Sequence, residues 1–475
     1  MKLRLVTAAI AAVVLTTACS MDPVYQRPAS PVPDSFAGGG AVRTVAAKPD
    51  DAANQAVLSD WKAFFKDPYL QQLVTLTLQN NRDLRQAALK VAEYEAQYRI
   101  ARSNLAPTIT ATGTNTKAHS SGVTSQSSSV QLGMSSWEVD FFGRLRSLKN
   151  QALEEYLSTD AARLSTQLSL VSTTATDYLT WLSDRSLLNI AQHTVQSDQE
   201  TYETTLKSAQ LGSGAEEDVQ EARTSLASAK ASVASYQRAV EQDRNNLVAA
   251  IGCALPEGFP QDRELQDDML FADVPVGLSS DLLTRRPDIV EAEHTLKSSN
   301  AYVGAARAAF FPTISLTAAA GTASSALTGL FKAGSGSWSF APSISVPIFN
   351  YGDLKASLDV AKITKNIDIA AYEEAIQTAF KEVSNGLAGR TTYVDQVEAD
   401  REYVDAAQKY YDIANARYRA GLDGFLTLLT AQRTLFTAQS QLVTDRLGQQ
   451  SNLITLYTAL GGGWTQQEQT QASAK

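Results

Sequence analysis

Cysteine is close to absent: Cys19 and Cys253 are the two in 475 residues. A disulfide framework is thereby excluded, and with it the small stapled secreted domain. Histidine is nearly as scarce, and His119, His193 and His294 stand far apart, with no spacing that suits a metal. There is no Cys-x-x-Cys pair, no phosphate-binding loop and no nucleophile elbow. The chain is therefore not expected to be an enzyme or to hold a metal or dissociable cofactor. A basic excess is missing too: 41 Lys and Arg face 50 Asp and Glu, a net charge of −9. That balance argues against nucleic acid as a partner. Beyond the N-terminus no apolar run reaches the length a membrane-spanning helix needs.

Proline is missing over two long blocks, from Pro107 to Pro256 and from Pro347 to the end. Both blocks carry helical periodicity. Leu157, Ala161, Leu164, Leu168, Val171, Ala175, Tyr178 and Leu182 follow a heptad seam, as do Ile369, Tyr372, Ile376, Ala379 and Val383. The seam residues are small and mixed, which suits helices flanked on both sides in a curved wall. Helices are predicted from about Gly143 to Gly212 and from Gly352 to Gly421. At about 1.5 Å per residue each is on the order of 100 Å long. Each ends at a glycine turn, "LGSGAEEDV" at Leu211 and "AGLDGFLTL" at Ala420, before the chain returns.

The two blocks are copies. "ARSNLAPTITATGTNTKAHS" from Ala101 is nearly repeated by "ARAAFFPTISLTAAAGTASS" from Ala306, 205 residues on. Past the strands the offset becomes 209 and stays there, pairing Gly143 with Gly352, Gly212 with Gly421 and Gly252 with Gly461. A steady offset with one small adjustment is a duplicated unit, and its period is far too long for a solenoid.

Each copy also predicts a pair of strands. Ile109 and Ala111 alternate with Thr108, Thr110 and Thr112. Ile314, Leu316 and Ala318 alternate with Thr313, Ser315 and Thr317. Val130, Leu132 and Met134 form the partner run in one copy. Trp338, Phe340, Ile344, Val346 and Ile348 form it in the other, with Pro342 and Pro347 expected at bulges or strand ends. One face apolar, one face Ser and Thr, with aromatics near the ends, fits a lipid-facing barrel with a wet lumen. A sheet in a water-soluble core would show the same alternation. Four strands cannot close a membrane barrel, and open edges in lipid are forbidden. A spanning barrel would thus be shared between chains, eight strands from two or twelve from three.

The N-terminus, "MKLRLVTAAIAAVVLTTACS", reads as a secretory signal. Its end resembles a bacterial lipoprotein signal, with Thr16 where leucine is usual and Leu15 one place early. Cys19 would be the acylated first residue, carrying diacylglycerol and a fatty acyl group, and Ser20 favours the outer membrane. The stretch to about Asp60 holds five of the 14 prolines and is expected to be an extended, weakly structured tether. Cys253 is expected to be a buried small apolar residue.

Several longer motifs carry a resemblance. "WKAFFKDPYLQQLVTLTLQNNRDLR" from Trp61, "WEVDFFGRLRSLKNQALEEYL" from Trp137, "LLTRRPDIVEAEHTL" from Leu282, "GAARAAFFPTISL" from Gly304, "RYRAGLDGFLTLLTAQRTLF" from Arg417 and "LYTALGGGW" from Leu456 resemble the TolC-like outer-membrane efflux channels. They are most similar to the OprM-type lipoproteins of resistance–nodulation–division drug pumps. The resemblance implies an α+β membrane protein. Three copies would form a 12-stranded outer-membrane β-barrel, continued by a long periplasmic α-helical barrel with a mixed equatorial belt. It implies a periplasmic adaptor and an inner-membrane transporter as partners, and a passive role in efflux of small amphiphilic compounds.

The expected division is a signal peptide over 1–18 and an acylated tether over 19–60. A first repeat spans 61–254, with strands about 107–141 and a helical hairpin about 143–252. An equatorial segment, 255–287, joins it to a second repeat over 288–461, with strands about 312–349 and a hairpin about 352–460. A polar tail covers 462–475. At the tip turns, Gly212 and Gly421, the resemblance makes Leu426 the pore constriction. Arg417 and Arg433 match charges that tie hairpins together, and Asp218 offers an acceptor in the first copy. Thr430 stands where relatives often carry an acid. Leu422 and Phe425 are expected to pack against the adjoining hairpin. A channel of this fold for type I protein export, and a structural periplasmic coiled-coil lipoprotein, are the alternatives.

Overall fold

The structure is a computed structural model, and it describes residues 21–33, 36, 61–260, 262–270 and 286–462. Cys19, the polar tail beyond 462 and most of the 34–60 stretch lie outside the described residues. In chain order the main elements are α1 (Pro68–Asn80), α2 (Arg82–Ser103), β1 (Ile109–Ser120), β2 (Val123–Glu138), α3 (Arg144–Gln210) and α4 (Glu216–Ile251). The second copy supplies α5 (Pro287–Ala308), β3 (Thr313–Ser324), β4 (Gly336–Ser345), α6 (Tyr351–Arg419) and α7 (Phe425–Ala459). Contacts divide the chain into two compact units. One comprises 1–30, 88–162 and 288–375, the other 31–87, 163–287 and 376–475.

The first unit holds the sheet. Its order is β1-β2-β3-β4, antiparallel throughout, so β1 and β4 are open edges. The register puts Ile109 and Ala111 beside Met134 and Leu132. Those lie beside Ala318 and Ala320, which in turn face Phe340 and Trp338. That face is apolar across all four strands. On the other, Thr114 bonds Ser129 and Ser315 bonds Ser343, each at 2.8 Å. The register slips between Met134 and Trp137. The extra residue of this bulge, where Ser136 has φ 49°, returns Trp137 to the apolar face opposite Leu316. Pro342 is neither at a bulge nor at a strand end. It sits inside β4 opposite Leu316, on an edge strand of the single-chain sheet.

Where the helices meet this sheet, Asp140 caps α3, accepting from the N–H groups of Leu145 and Arg146 at 2.9 Å each. Met21–Ser30 is extended, but it is held rather than loose. Asp22 accepts from Ser147 and Asn150, Asn300 donates to the Pro23 carbonyl, and Glu293 accepts from Tyr25 and Arg27.

The second unit buries an aromatic core. Phe64 stacks on Tyr457 with ring centres 4.2 Å apart, and Phe259 lies against Tyr178 and Trp181. Asp67 caps α1 and receives Arg263 and Tyr178. The seam residues Val171, Ala175, Tyr178 and Leu182 in α3, and Ile376, Ala379 and Val383 in α6, are buried. Gly252 ends α4 with φ 69°, and a side chain there would meet the Asn80 carbonyl at 2.7 Å. Cys253 is half-buried rather than buried, because it follows this helix end instead of lying within it.

Candidate functional site

The turns between α3 and α4 and between α6 and α7 form the candidate gate, and both belong to the second unit. Gly212 and Gly421 have φ of 76° and 70°, the left-handed conformation that closes a helix without steric cost for glycine. Neither would place a side chain against a neighbour, so backbone geometry alone selects glycine there.

Beside the turns, Phe425, Leu429 and Ala222 form a small buried cluster against Tyr202 and Tyr418. Phe425 is 3% exposed, as expected of a packing residue. Leu422 differs: it is 66% exposed. Leu426 is likewise 66% exposed, although the flanking Phe425 and Leu429 face inward. Helical geometry allows the difference, since Leu426 is turned about 100° from Phe425 and so leaves the face that carries the cluster. Leu429 falls back on the cluster one turn beyond Phe425.

The charges are distributed differently from the expectation. Arg417 makes a two-pronged bond to Asp423 at 2.7 and 2.9 Å, across its own turn. That bond raises the arginine and lowers the carboxyl from their ordinary values. Asp423 was missed as a partner, yet it is legible in "RYRAGLDGF" as the acid two residues past the glycine. Arg433 lines a polar cavity of about 410 Å³ with Asp198, Ser225 and Gln432. Asp198 accepts from Ser225 at 3.0 Å, and burial pushes its carboxyl up against the opposing pull of Ser225 and Arg433. Gln432 donates to Ser197 and Thr201, and Tyr418 bonds Thr205 at 3.1 Å, so α7 and α6 are both tied to α3. Asp218 lies in the first turn of α4 beside Glu216 and Glu217, where acids favour the helix dipole. Among the described residues it has no ion pair inside the chain.

An open four-stranded sheet with one apolar face, joined to long helical hairpins and present in two copies, defines a channel subunit rather than a closed soluble domain. The comparisons agree. The sequence profile described as "Outer membrane efflux protein" matches residues 73–253 and 278–462. The two matches begin 205 residues apart and end 209 apart, the offsets of the internal repeat. The chain is similar to the antibiotic efflux pump outer membrane protein ArpC of Pseudomonas putida, 47% identical over 458 residues, covering 94% of this chain and 93% of the relative. It is equally similar to the toluene efflux pump outer membrane protein TtgC of the same species, at 47% identity and the same coverage. Among solved structures, the open state of the Neisseria gonorrhoeae MtrE outer membrane channel superposes with a TM-score of 0.85 at 39% identity, covering 94% of this chain and 98% of that one.

The chain belongs to the outer membrane efflux protein family. It is an outer-membrane efflux channel, and the family is one of channel proteins rather than enzymes.

Proposed function

We propose that three copies of this chain assemble into the exit duct of a tripartite pump that expels small amphiphilic organic compounds. A periplasmic adaptor and an inner-membrane resistance–nodulation–division transporter feed the duct. The open edges of the sheet carry this reading. β1 and β4 are unpaired, and lipid forbids unpaired strand edges. Three copies give twelve strands and leave no edge. Val360, Ile363 and Ile367 on α6 and Leu89 and Ile100 on α2 support it, being large apolar side chains left exposed in one chain. Antibiotics and toluene, named for the relatives ArpC and TtgC, are the substrate class the reading takes for this chain.

Cys19, carrying diacylglycerol and a fatty acyl group, anchors the N-terminus in this reading. Leu426 forms the constriction at the tip, with Asp218, Arg417 and Arg433 setting its charge contacts and Gly212 and Gly421 its turns. Deletion of the gene followed by susceptibility profiling tests the function. Sensitivity to several unrelated apolar drugs and to toluene should rise, and only where adaptor and transporter are co-expressed should the restored gene reverse it. Loss of a secreted protein with unchanged drug sensitivity would favour type I export instead.

A further inference from the structure

Both copies place an arginine seven residues before the first outward apolar residue of a strand: Arg102 before Ile109 and Arg307 before Ile314. Each lies in the last turn of its helix, α2 or α5. The other arginines at this end of the sheet are already neutralised, Arg144 by Glu138 at 2.5 Å and Arg146 by Asp140 at 3.0 Å. Arg102 and Arg307 have no carboxylate partner among the described residues. Each is followed at once by aromatic contacts. The turn after Arg102 ends at Leu105, whose carbonyl accepts from the Trp137 indole at 3.3 Å. The turn after Arg307 carries Phe310 against Tyr351 and Phe311 stacked on Phe142 at 4.7 Å. Aromatic rings at a strand end mark the level of the headgroups, and long cationic side chains reach from there to phosphate. A helix C-terminus attracts a cation without any ligand. That accounts for one arginine at a helix end, but not for the aromatic contacts of the turn that follows it in both copies while acids serve the neighbouring arginines.

We propose that Arg102 and Arg307 bind the phosphate of anionic glycerophospholipids in the periplasmic leaflet of the outer membrane, one site in each copy of the repeat. The proposal rests on the strands crossing that membrane as a closed barrel. The helices leave the strands on the side where these arginines lie, and the turns at Ser121–Gly122 and 325–335 lie at the other end, so the leaflet concerned is the periplasmic one.

The test is native mass spectrometry of the purified full-length assembly, equilibrated with equal amounts of dioleoyl phosphatidylglycerol and dioleoyl phosphatidylethanolamine. The parent should retain phosphatidylglycerol in preference. Arg102→Gln with Arg307→Gln should weaken that retention by about fivefold per arginine, the effect of one cation at an anionic lipid surface, and leave phosphatidylethanolamine unchanged. Arg102→Lys with Arg307→Lys should keep it. A helix-dipole role alone would change thermal stability but not lipid preference. Equal retention by the Gln pair, or no preference in the parent, overturns the proposal. So does equal displacement of the lipid by millimolar inorganic phosphate, which would mark a free-anion site. Heat-modifiable migration of each variant, reporting a closed barrel, separates this outcome from failure of the assembly reading.

Discussion

Asp243 and Asp400 carry carboxyl groups pushed up to about 6. Burial is the main cause in both. The acids Asp184 and Asp177 add to it for Asp243, and Asp445 adds to it for Asp400. The folded chain keeps protons that the unfolded chain releases near pH 4. From these groups, stability is therefore full below about pH 4 and is lost as pH rises through about 6. Asp243→Asn removes the charge while keeping the shape. It should raise stability at pH 7.5 by about 1 kcal/mol, the partial exposure of the site holding the gain to that size, and change little at pH 4. Thermal melts at the two pH values measure this. A variant that is less stable at pH 7.5 and unchanged at pH 4 would show that the ionised form is held favourably after all. Neither acid stood out in the sequence, because on a long amphipathic helix a buried carboxylate and a solvated one have the same neighbours in the chain. Asp198 escaped for the same reason. What separates it from its neighbours is Ser225, 27 residues away and brought alongside only when the hairpin folds.

The long hairpins were legible as elements because α-helix and proline exclude one another over many turns. α3 occupies Arg144–Gln210 and α6 Tyr351–Arg419, both inside proline-free blocks and both stopped by a left-handed glycine. Alternation likewise exposed the strands, since period two survives without knowledge of the partner. The bulge before Trp137 was not legible. It exists to reconcile β2 with β3, and β3 lies in the other copy. Close helix contacts were hidden in the same way. A side chain at Gly448 in α7 would meet the Tyr393 ring of α6 at 2.8 Å. Gly448→Ala should therefore destabilise the second hairpin by about 1–3 kcal/mol, a typical overpacking cost. Tyr393→Leu in the same chain should recover part of that loss. Denaturant midpoints for the two single variants and the double variant form the cycle, and strictly additive effects would mean that the two residues do not meet.

At the scale of the whole molecule, the open edges, exposed apolar stripes and tip turns place their demands on contacts between chains. Native mass measurement in mild detergent should give three copies, and a stable monomer would contradict closure of the sheet. Replacing Cys19 by Ser should abolish labelling with a palmitate analogue, and unchanged labelling would remove the anchor from the account. The gate depends on all of this. A water-filled duct of this kind leaks unless its periplasmic end is closed, and an apolar ring resists wetting. Leu426 supplies one apolar side chain per copy, 66% exposed on a helix whose neighbours at Phe425 and Leu429 are buried. The Arg417–Asp423 bond joins residues of one turn, so within the chain it shapes that turn. Thr430 donates its hydroxyl to the Leu426 carbonyl at 2.8 Å, so in the proposed gate this position supplies no charge. Exposed pairs contribute little, within reach of a docking adaptor. Leu426→Ala should accordingly raise single-channel conductance in planar bilayers and admit vancomycin to cells. Asp218→Ala with Arg433→Ala should do so more weakly, because Arg433 also faces Asp198 within its own chain. If Leu426→Ala conducts like the parent while the assembly remains trimeric, the constriction is formed by other residues, and the exposed Leu422 is the next to test.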